Sequence, residues 1–196
     1  MTFALSTEAQ DLLFREARTA NTFTDEAVTE EQVRAIYDLV KYGPTSMNIQ
    51  PLRVVLVRSP QARERLVRHM SDGNKAKTST APLVAILAAD EDYHENLPKT
   101  FPHFPGAKDV HAGNPARGRV AEFNAALQTG YFILGVRAAG LAAGPMTGFD
   151  ADAVAKEFFP EGNKRVLAVV NIGKPGPDAW KGRLPRLDYE EVVAEV

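Results

Sequence analysis

GPTSMNIQP, residues 43–51, separates two stretches of sequence whose apolar residues follow different periods. Before it, Thr29-Glu30-Glu31-Gln32 forms a capping box, in which the threonine and glutamine side chains satisfy free amides of a first helical turn. The apolar positions that follow recur at helical spacing: Val33, Ile36, Leu39 and Val40. After it, Arg53 to Val57 (RVVLV) is rich in β-branched residues, which is typical of a buried strand. We therefore expect a helix that ends at Gly43-Pro44, a loop, and then a core strand.

The capping and apolar patterns in the rest of the chain predict further helices and strands. Thr7-Glu8-Ala9-Gln10 has the pattern of another capping box, ahead of a first helix. Predicted helices cover Ser59 to Met70, Val120 to Gly140, and Phe149 to Phe159 with Asp150 as its cap. Predicted core strands cover Leu83 to Ala89 and Arg165 to Ile172, and Tyr189 to Val196 is consistent with an edge strand. The order is helices, strand, helix, strand, long helix, strand, helix, strand. It indicates a single α+β domain over residues 1–196.

Residues 90–118 differ from their surroundings, with prolines at 98, 102, 105 and 115 and the pair Phe101 and Phe104. A loop of this length in a compact domain is usually functional or disordered. The two phenylalanines favour an active-site lid over a solvated insertion, because a purely solvated loop gains nothing from exposing them.

Composition limits the chemistry that this chain can perform. It has 196 residues, a formal net charge of −2 and no cysteine. Disulfides, thiolate nucleophiles and iron–sulfur clusters are therefore excluded, and redox work would need an organic cofactor or a metal on His, Asp or Glu. The charge indicates no nucleic-acid partner, and no run approaches the roughly 20 apolar residues of a membrane span. The first residues lack the basic start and apolar core of a signal peptide, so we expect a cytoplasmic protein.

Several common motifs are absent from the sequence. No GxGxxG follows a predicted strand, and there is no Walker loop, GxSxG elbow or HExxH. The spacing of His94, His103 and His111 suits a metal site poorly, so we expect no metal. The enzymes that remain plausible hold a cofactor by scattered contacts.

Four short segments offer such contacts. They are ARTANTF at 17–23, PTSMNIQP at 44–51, GPMTGF at 144–149 and KGRLP at 181–185. Each alone has a simpler interpretation, as a helix end, a turn or solvated tail charges. Their joint order argues against coincidence.

In these segments the chain resembles the FMN-dependent nitroreductase family. The family order is an R-x-S-x-[RK]-x-F type segment, P-S-S-x-N-x-Q-P, a G-L-x-x-x-P-x-x-G turn after a long helix, and a K-x-R-L-P type tail. The resemblance implies a central mixed or antiparallel sheet flanked by helices, with the long helix at a homodimer interface. It also implies bound FMN, NADH or NADPH as co-substrate, and a small electrophile as substrate.

The resemblance also assigns roles to particular residues. Arg18, Lys181 and Arg183 would neutralise the FMN phosphate, with Thr19 as hydroxyl donor. The loop with Thr45, Ser46 and Asn48 would reach the flavin of the partner subunit. The implied cofactor-binding set is Arg18, Thr19, Asn21, Pro44, Thr45, Ser46, Asn48, Asn74, Lys77, Pro145, Met146, Thr147, Gly148, Lys181 and Arg183. Thr147, which stands where many relatives have Glu, and His103 are the candidate catalytic residues beside the flavin.

Within the family, the chain is most similar to the branch containing the malonic semialdehyde reductase of the Rut pyrimidine-degradation pathway. The similarity lies in ARTANTF, PTSMNIQPLRVV, LPKTFPHFPGAK and GPMTGFD. It implies ping-pong hydride transfer through the flavin, reducing the aldehyde acid to 3-hydroxypropionate. Two alternatives stay open: a general nitro or quinone reductase, and a flavin-binding protein without turnover.

Overall fold

The computed structural model describes residues 3–196 and shows an α+β fold. The α-helices are α1 (Thr7–Gln10), α2 (Glu30–Val40), α3 (Pro60–His69), α4 (Asp72–Thr80), α5 (Leu97–Thr100), α6 (Ala107–Ala112), α7 (Arg117–Ala138), α8 (Ala151–Phe158) and α9 (Tyr189–Val192). The strands are β1 (Leu52–Val57), β2 (Leu83–Asp90), β3 (Ala142–Met146) and β4 (Lys164–Gly173). Short 3₁₀ turns lie at Ser46–Asn48 and Tyr93–Asn96, and a wider π-helical turn covers Asp11–Arg15.

The four strands form one sheet in the order β1-β2-β4-β3, with every neighbouring pair antiparallel. Of the two arrangements left open above, mixed or antiparallel, the structure has the second. All eight residues of β2 are buried, because this central strand is covered on both faces. β1 and β3 are the two edge strands, so the segments that adjoin them lie on opposite sides of the sheet.

Two apolar cores cover the faces of the sheet. On one face, α3 and α8 contribute Leu66 and Val154 to a cluster that includes Ile86 and Val169. On the other face, α2 and α7 contribute Ile36, Phe132 and Val136, which pack on the alternate residues of the same strands. The alternation of neighbouring residues between the two clusters follows from the two-residue period of a strand.

The order of helices and strands predicted above is confirmed, including the capping box at Thr29 and the cap at Asp150. The predicted capping box at Thr7 is wrong, since the hydroxyl of Ser6 accepts from the amide of Ala9. α2 ends at Val40, three residues before Gly43. The predicted edge strand at the C-terminus is also wrong: Tyr189–Val192 is a short helix, because Asp188 and Glu191 form a capping box there.

Residues 90–118 are not a continuous loop. They contain a 3₁₀ turn, α5 and α6, and the first residues of α7. Tyr93, Leu97 and Ala107 from this segment form a third buried cluster with Ile49 and with Ala121 of α7, among other residues. The prolines in this segment do not exclude helices, because Pro98 lies in the first turn of α5, where a missing amide is tolerated. Within residues 3–196, no helix combines the length and apolarity needed to cross a membrane.

Candidate functional site

A cavity of about 280 Å³ is lined by cationic and polar side chains from the two ends of the chain. Its lining includes Arg18, Thr19, Asn21, Lys181 and Arg183, together with Arg186. One guanidinium nitrogen of Arg18 donates to the carbonyl of Lys181 at 3.4 Å, and Arg183 donates to the carbonyl of Arg15. The structure therefore brings together the four residues assigned to the phosphate, Arg18, Thr19, Lys181 and Arg183, and places Asn21 of the implied cofactor-binding set beside them.

Residues 18–21 are held in place by β3 and the C-terminal tail. The amide of Ala20 donates to the carbonyl of Ala143 at 3.1 Å, and that of Asn21 donates to Ala179 at 3.0 Å. A Cβ added to Gly144 would lie 2.7 Å from the carbonyl oxygen of Ala20, so a side chain at 144 would push this segment away. The glycine at 144 is thus required for the close approach that forms the cavity wall.

Lys77 on α4 lies next to the same cations. Burial and the positive charge of Lys181 both lower the pKa of Lys77. The carbonyl of Lys77 accepts from the buried amide of Asn171 on β4 at 3.1 Å, which fixes α4 against the sheet. Neighbouring lysines repel each other, so this arrangement favours a bound anion.

One turn before Lys77, Asn74 lies beside the end of β3. Its amide donates to the carbonyl of Gly148 at 2.9 Å, and the amide nitrogen of Ser71 donates to the same oxygen at 3.0 Å. A Cβ at Gly148 would lie 2.7 Å from the Asn74 amide nitrogen, so a side chain at 148 would displace Asn74 from this contact. Ser71 was missed in the sequence, although a serine before the first residue of a helix is a common cap signal.

These residues fit a phosphate-bearing ligand. The Nε atom of Arg18 is buried and has no hydrogen-bond partner among residues 3–196. Within the same described range, Lys77, Lys181 and Arg183 form no ion pair, and Arg18 has only a 3.4 Å contact with the exposed Glu16. A phosphate dianion would satisfy the buried donor and offset the clustered positive charge.

The segment with Pro44, Thr45, Ser46 and Asn48 lies elsewhere. It enters β1 at Leu52, whereas Gly144 on β3 is level with Val57, the last residue of β1. Three strand spacings separate β1 from β3, a distance of roughly 14 Å across the sheet. Among the described residues, no hydrogen bond or cavity joins the 44–48 segment to the Arg18 cavity.

The turn at residues 45–50 has an unusual backbone. Met47, Asn48 and Gln50 have φ angles of 47°, 51° and 42°. The left-handed region costs roughly 1–2 kcal/mol for a residue with a Cβ, so the surroundings must hold this turn. The amide of Ser46 donates to the Asn124 side chain at 2.8 Å, and the Asn48 side chain donates to the carbonyl of Thr100 at 2.8 Å. Backbone strain held by several elements occurs often at functional sites.

The two candidate catalytic residues, Thr147 and His103, lie in different parts of the structure. Thr147 is exposed at the end of β3, next to Gly148. His103 is exposed, and its ring lies against that of Phe101 with the ring centroids 3.9 Å apart and the ring planes tilted by 55°. The carbonyl of Thr100, three residues before His103, accepts from Asn48 and so links this segment to the 45–50 turn. Within residues 3–196, no group of His, Asp and Glu could hold a metal ion.

Comparison with known proteins places these features in context. The sequence matches the Nitroreductase family over residues 14–174. A protein of Streptomyces coelicolor is 65% identical over 197 residues, covers 100% of both chains, and is named "Putative NADH dehydrogenase/NAD(P)H nitroreductase". A protein of Leptothrix cholodnii with the same name is 47% identical over 99% of each chain. The crystal structure of a "putative nitroreductase in complex with FMN" from Exiguobacterium sibiricum has a TM-score of 0.86 over 100% of both chains at 18% identity, which shows the shared fold.

Proposed function

The chain belongs to the nitroreductase family, and we propose that it is an NAD(P)H-dependent oxidoreductase with FMN as its cofactor. The observation that carries this proposal is the cavity lined by Arg18, Lys181 and Arg183, where a buried guanidinium nitrogen has no partner among the described residues. Bound FMN would accept hydride from the nicotinamide and supply it to a small electrophile.

Each side chain of this cavity has a task that its chemistry supports. Arg18, Lys181 and Arg183 neutralise the phosphate, and the Thr19 hydroxyl adds a neutral donor. Lys77 adds a fourth cation from α4. The two close-packed glycines at 144 and 148 let the carbonyl of Ala20 and the side chain of Asn74 approach the backbone, which holds residues 18–21 and α4 in place.

We also infer a homodimer in which the 44–48 segment of one copy completes the site of the other. The two halves lie at opposite edges of the sheet within one chain, so a second copy is the simplest source of the missing half. Phe123, Leu127 and Tyr131 follow a four-residue spacing along one face of α7 and are all exposed. Such a continuous apolar face is typical of a protein interface.

For the substrate, we propose malonic semialdehyde, which is reduced at its aldehyde to give 3-hydroxypropionate. Its carboxylate needs a cation in the pocket, since a buried unpaired charge is costly. Of the cations in residues 90–118, Lys108 pairs with Glu95 and Arg117 contacts Asp92. Lys99 and His103 form no ion pair among the described residues. The segment that carries His103 is linked to the 45–50 turn, because the carbonyl of Thr100 accepts from Asn48. We therefore assign carboxylate recognition to His103 of the second copy.

The aldehyde carbon gains hydride and its oxygen gains a proton, so donors must already face the developing alkoxide. The exposed Thr147 hydroxyl and the backbone amides at the end of β3 are our candidates for these donors. In this arrangement Thr147 comes from the copy that holds the flavin, and His103 and Phe101 come from the other. The exposed Phe104 of the same segment would help to exclude water from the site.

A visible spectrum of the purified protein, followed by titration with NADH, tests the cofactor. A protein that stays colourless after incubation with FMN would refute the proposal. A yellow protein that never oxidises NADH in the presence of any acceptor would be a flavin-binding protein without turnover. The substrate test compares malonic semialdehyde with uncharged propanal in the wild type and in His103→Ala. Equal kcat/KM for the two aldehydes in the wild type would remove the carboxylate argument, and turnover of quinones or nitroaromatics alone would leave a general reductase.

A further inference from the structure

The centre of the 45–50 turn is held through the side chain of Met47. The ends of the turn have their own hydrogen bonds, from Ser46 to Asn124 and from Asn48 to Thr100. Asparagine tolerates a left-handed backbone because its side chain can bond locally, whereas methionine has no such group. The left-handed conformation of Met47 must therefore be imposed by what its side chain contacts.

The polar contact of the Met47 side chain is with a buried histidine. The sulfur lies 3.3 Å from Nε2 of His111, and Nδ1 of His111 lies 2.8 Å from the hydroxyl of the fully buried Tyr93. If the Tyr93 hydroxyl donates to Nδ1, the proton of the neutral ring sits on Nε2 and points at the sulfur. Burial and the neighbouring His94 lower the pKa of His111, which keeps the ring neutral.

An apolar side chain would fill the space of His111 without any buried polar group to satisfy. Apolar side chains already surround it, because Met47, Tyr93 and Ala107 belong to one cluster with Ile49. A buried Tyr–His–Met chain is therefore not explained by packing alone. It ends at the one residue that lies between Ser46 and Asn48, the two side chains assigned to the flavin of the other copy.

We propose that His111 is a positioning residue, which holds Met47 through its sulfur and so keeps the 45–50 turn in the conformation that presents Ser46 and Asn48 to the flavin of the second copy. This inference rests on the two-half site proposed above. If Met47 left the left-handed region, both flanking side chains would change direction, while the phosphate cavity on the far edge of the sheet would be unchanged.

Two substitutions separate the contacts of His111. The amide nitrogen of glutamine can take the place of Nε2 and keep the contact with Met47, whereas asparagine reaches only as far as Nδ1 and keeps the contact with Tyr93. His111→Leu removes both. We expect His111→Leu and His111→Asn to bind FMN about three- to tenfold more weakly than the wild type, and His111→Gln to bind within about twofold of it.

Amide hydrogen exchange of residues 45–50 in the FMN-free protein provides a readout that does not depend on activity. Exchange should be faster in His111→Leu and His111→Asn and unchanged in His111→Gln. Equal behaviour of His111→Asn and His111→Gln in both measurements would overturn the proposal, even if His111→Leu does not fold. Wild-type protein that binds no FMN would refute the proposed function and the positioning role together. Normal wild-type binding that is weakened by Arg183→Ala but unaffected by all three His111 variants would refute the positioning role alone.

Discussion

Arg18 and Lys181 are in contact although 163 positions separate them in the sequence, and their meeting creates the proposed phosphate site. Arg183 lines the same cavity. If this cluster binds the phosphate, Arg183→Ala should weaken FMN binding about tenfold or more, because a charge-assisted hydrogen bond is worth roughly 1.5–3 kcal/mol. Riboflavin, which has no phosphate, should bind the variant and the wild type equally.

Fluorescence titration with both ligands checks this prediction. Arg34→Ala is the matched control, since Arg34 is an exposed residue paired with Glu30 on α2. An equal loss of FMN and riboflavin affinity in Arg183→Ala would show that the substitution perturbs the fold of the tail instead of the phosphate contact.

We expect Lys77 to make FMN binding sensitive to pH. Its pKa is lowered by burial and by Lys181, so Lys77 loses its proton at a lower pH than an ordinary lysine. A bound phosphate favours the charged form, so FMN affinity should fall as the pH rises through this lowered pKa. In Lys77→Arg the guanidinium stays protonated, and the fall should be smaller.

The measurement is the ratio of the two FMN dissociation constants at each pH from 7 upward, because this ratio cancels ionisation of the ligand itself. A ratio that does not change with pH would contradict the placement of Lys77 beside the phosphate.

The meeting of residues 18–21 with residues 181–183 could be predicted from the sequence, because each segment resembles a family motif and the two occur in the family's order. The residues that support the 45–50 turn could not be predicted. Asn124 lies in the middle of α7 and His111 in a segment interpreted as a loop, and neither pattern indicates a contact with residues 46 and 47. Such contacts depend on how α6 and α7 pack, which periodicity does not determine.

α4 carries both Asn74 and Lys77, and a half-buried arginine of α3 contacts its C-terminal end. The guanidinium of Arg63 donates to the carbonyls of Thr78 and Ala81 at the end of α4 and to Val57 of β1. Arg63→Met should lower the free energy of unfolding by about 2–4 kcal/mol, because it leaves these carbonyls without a charged donor. FMN binding should weaken as well, since α4 loses its anchor.

Arg65→Met is the control, two residues along the same helix, where a half-exposed arginine pairs with Glu157 and lies over the ring of Phe158. Its expected loss is below about 1 kcal/mol. Urea unfolding of the three proteins measures the difference, and equal losses in the two variants would contradict the anchoring role of Arg63.

The sheet was predictable because β2 and β4 are continuous apolar runs, as central strands buried on both faces must be. The helices between β2 and α7 could not be predicted from the sequence. These helices, α5 and α6, have four and six residues, too few to show a period, and they are stabilised by packing on Ile49 and Ala121. Short elements of this kind depend on tertiary contacts that local sequence does not reveal.

A site shared by two copies and a site contained in one chain predict different FMN binding by a heterodimer of two variants. We expect Arg18→Ala/Arg183→Ala to damage the phosphate half and Ser46→Ala/Asn48→Ala to damage the other half, so each double variant alone should bind FMN poorly. In a heterodimer of the two, one site receives both defects and the other receives none. The heterodimer, isolated with a different affinity tag on each chain, should therefore bind about one FMN with wild-type affinity.

If both halves came from the same chain, every site in the heterodimer would carry one defect and no tight site would form. The control is the pair of chains that both carry Arg18→Ala/Arg183→Ala, which should show no tight site in either case. Titration of the isolated heterodimer with FMN thus decides between a site shared by two copies and a site contained in one.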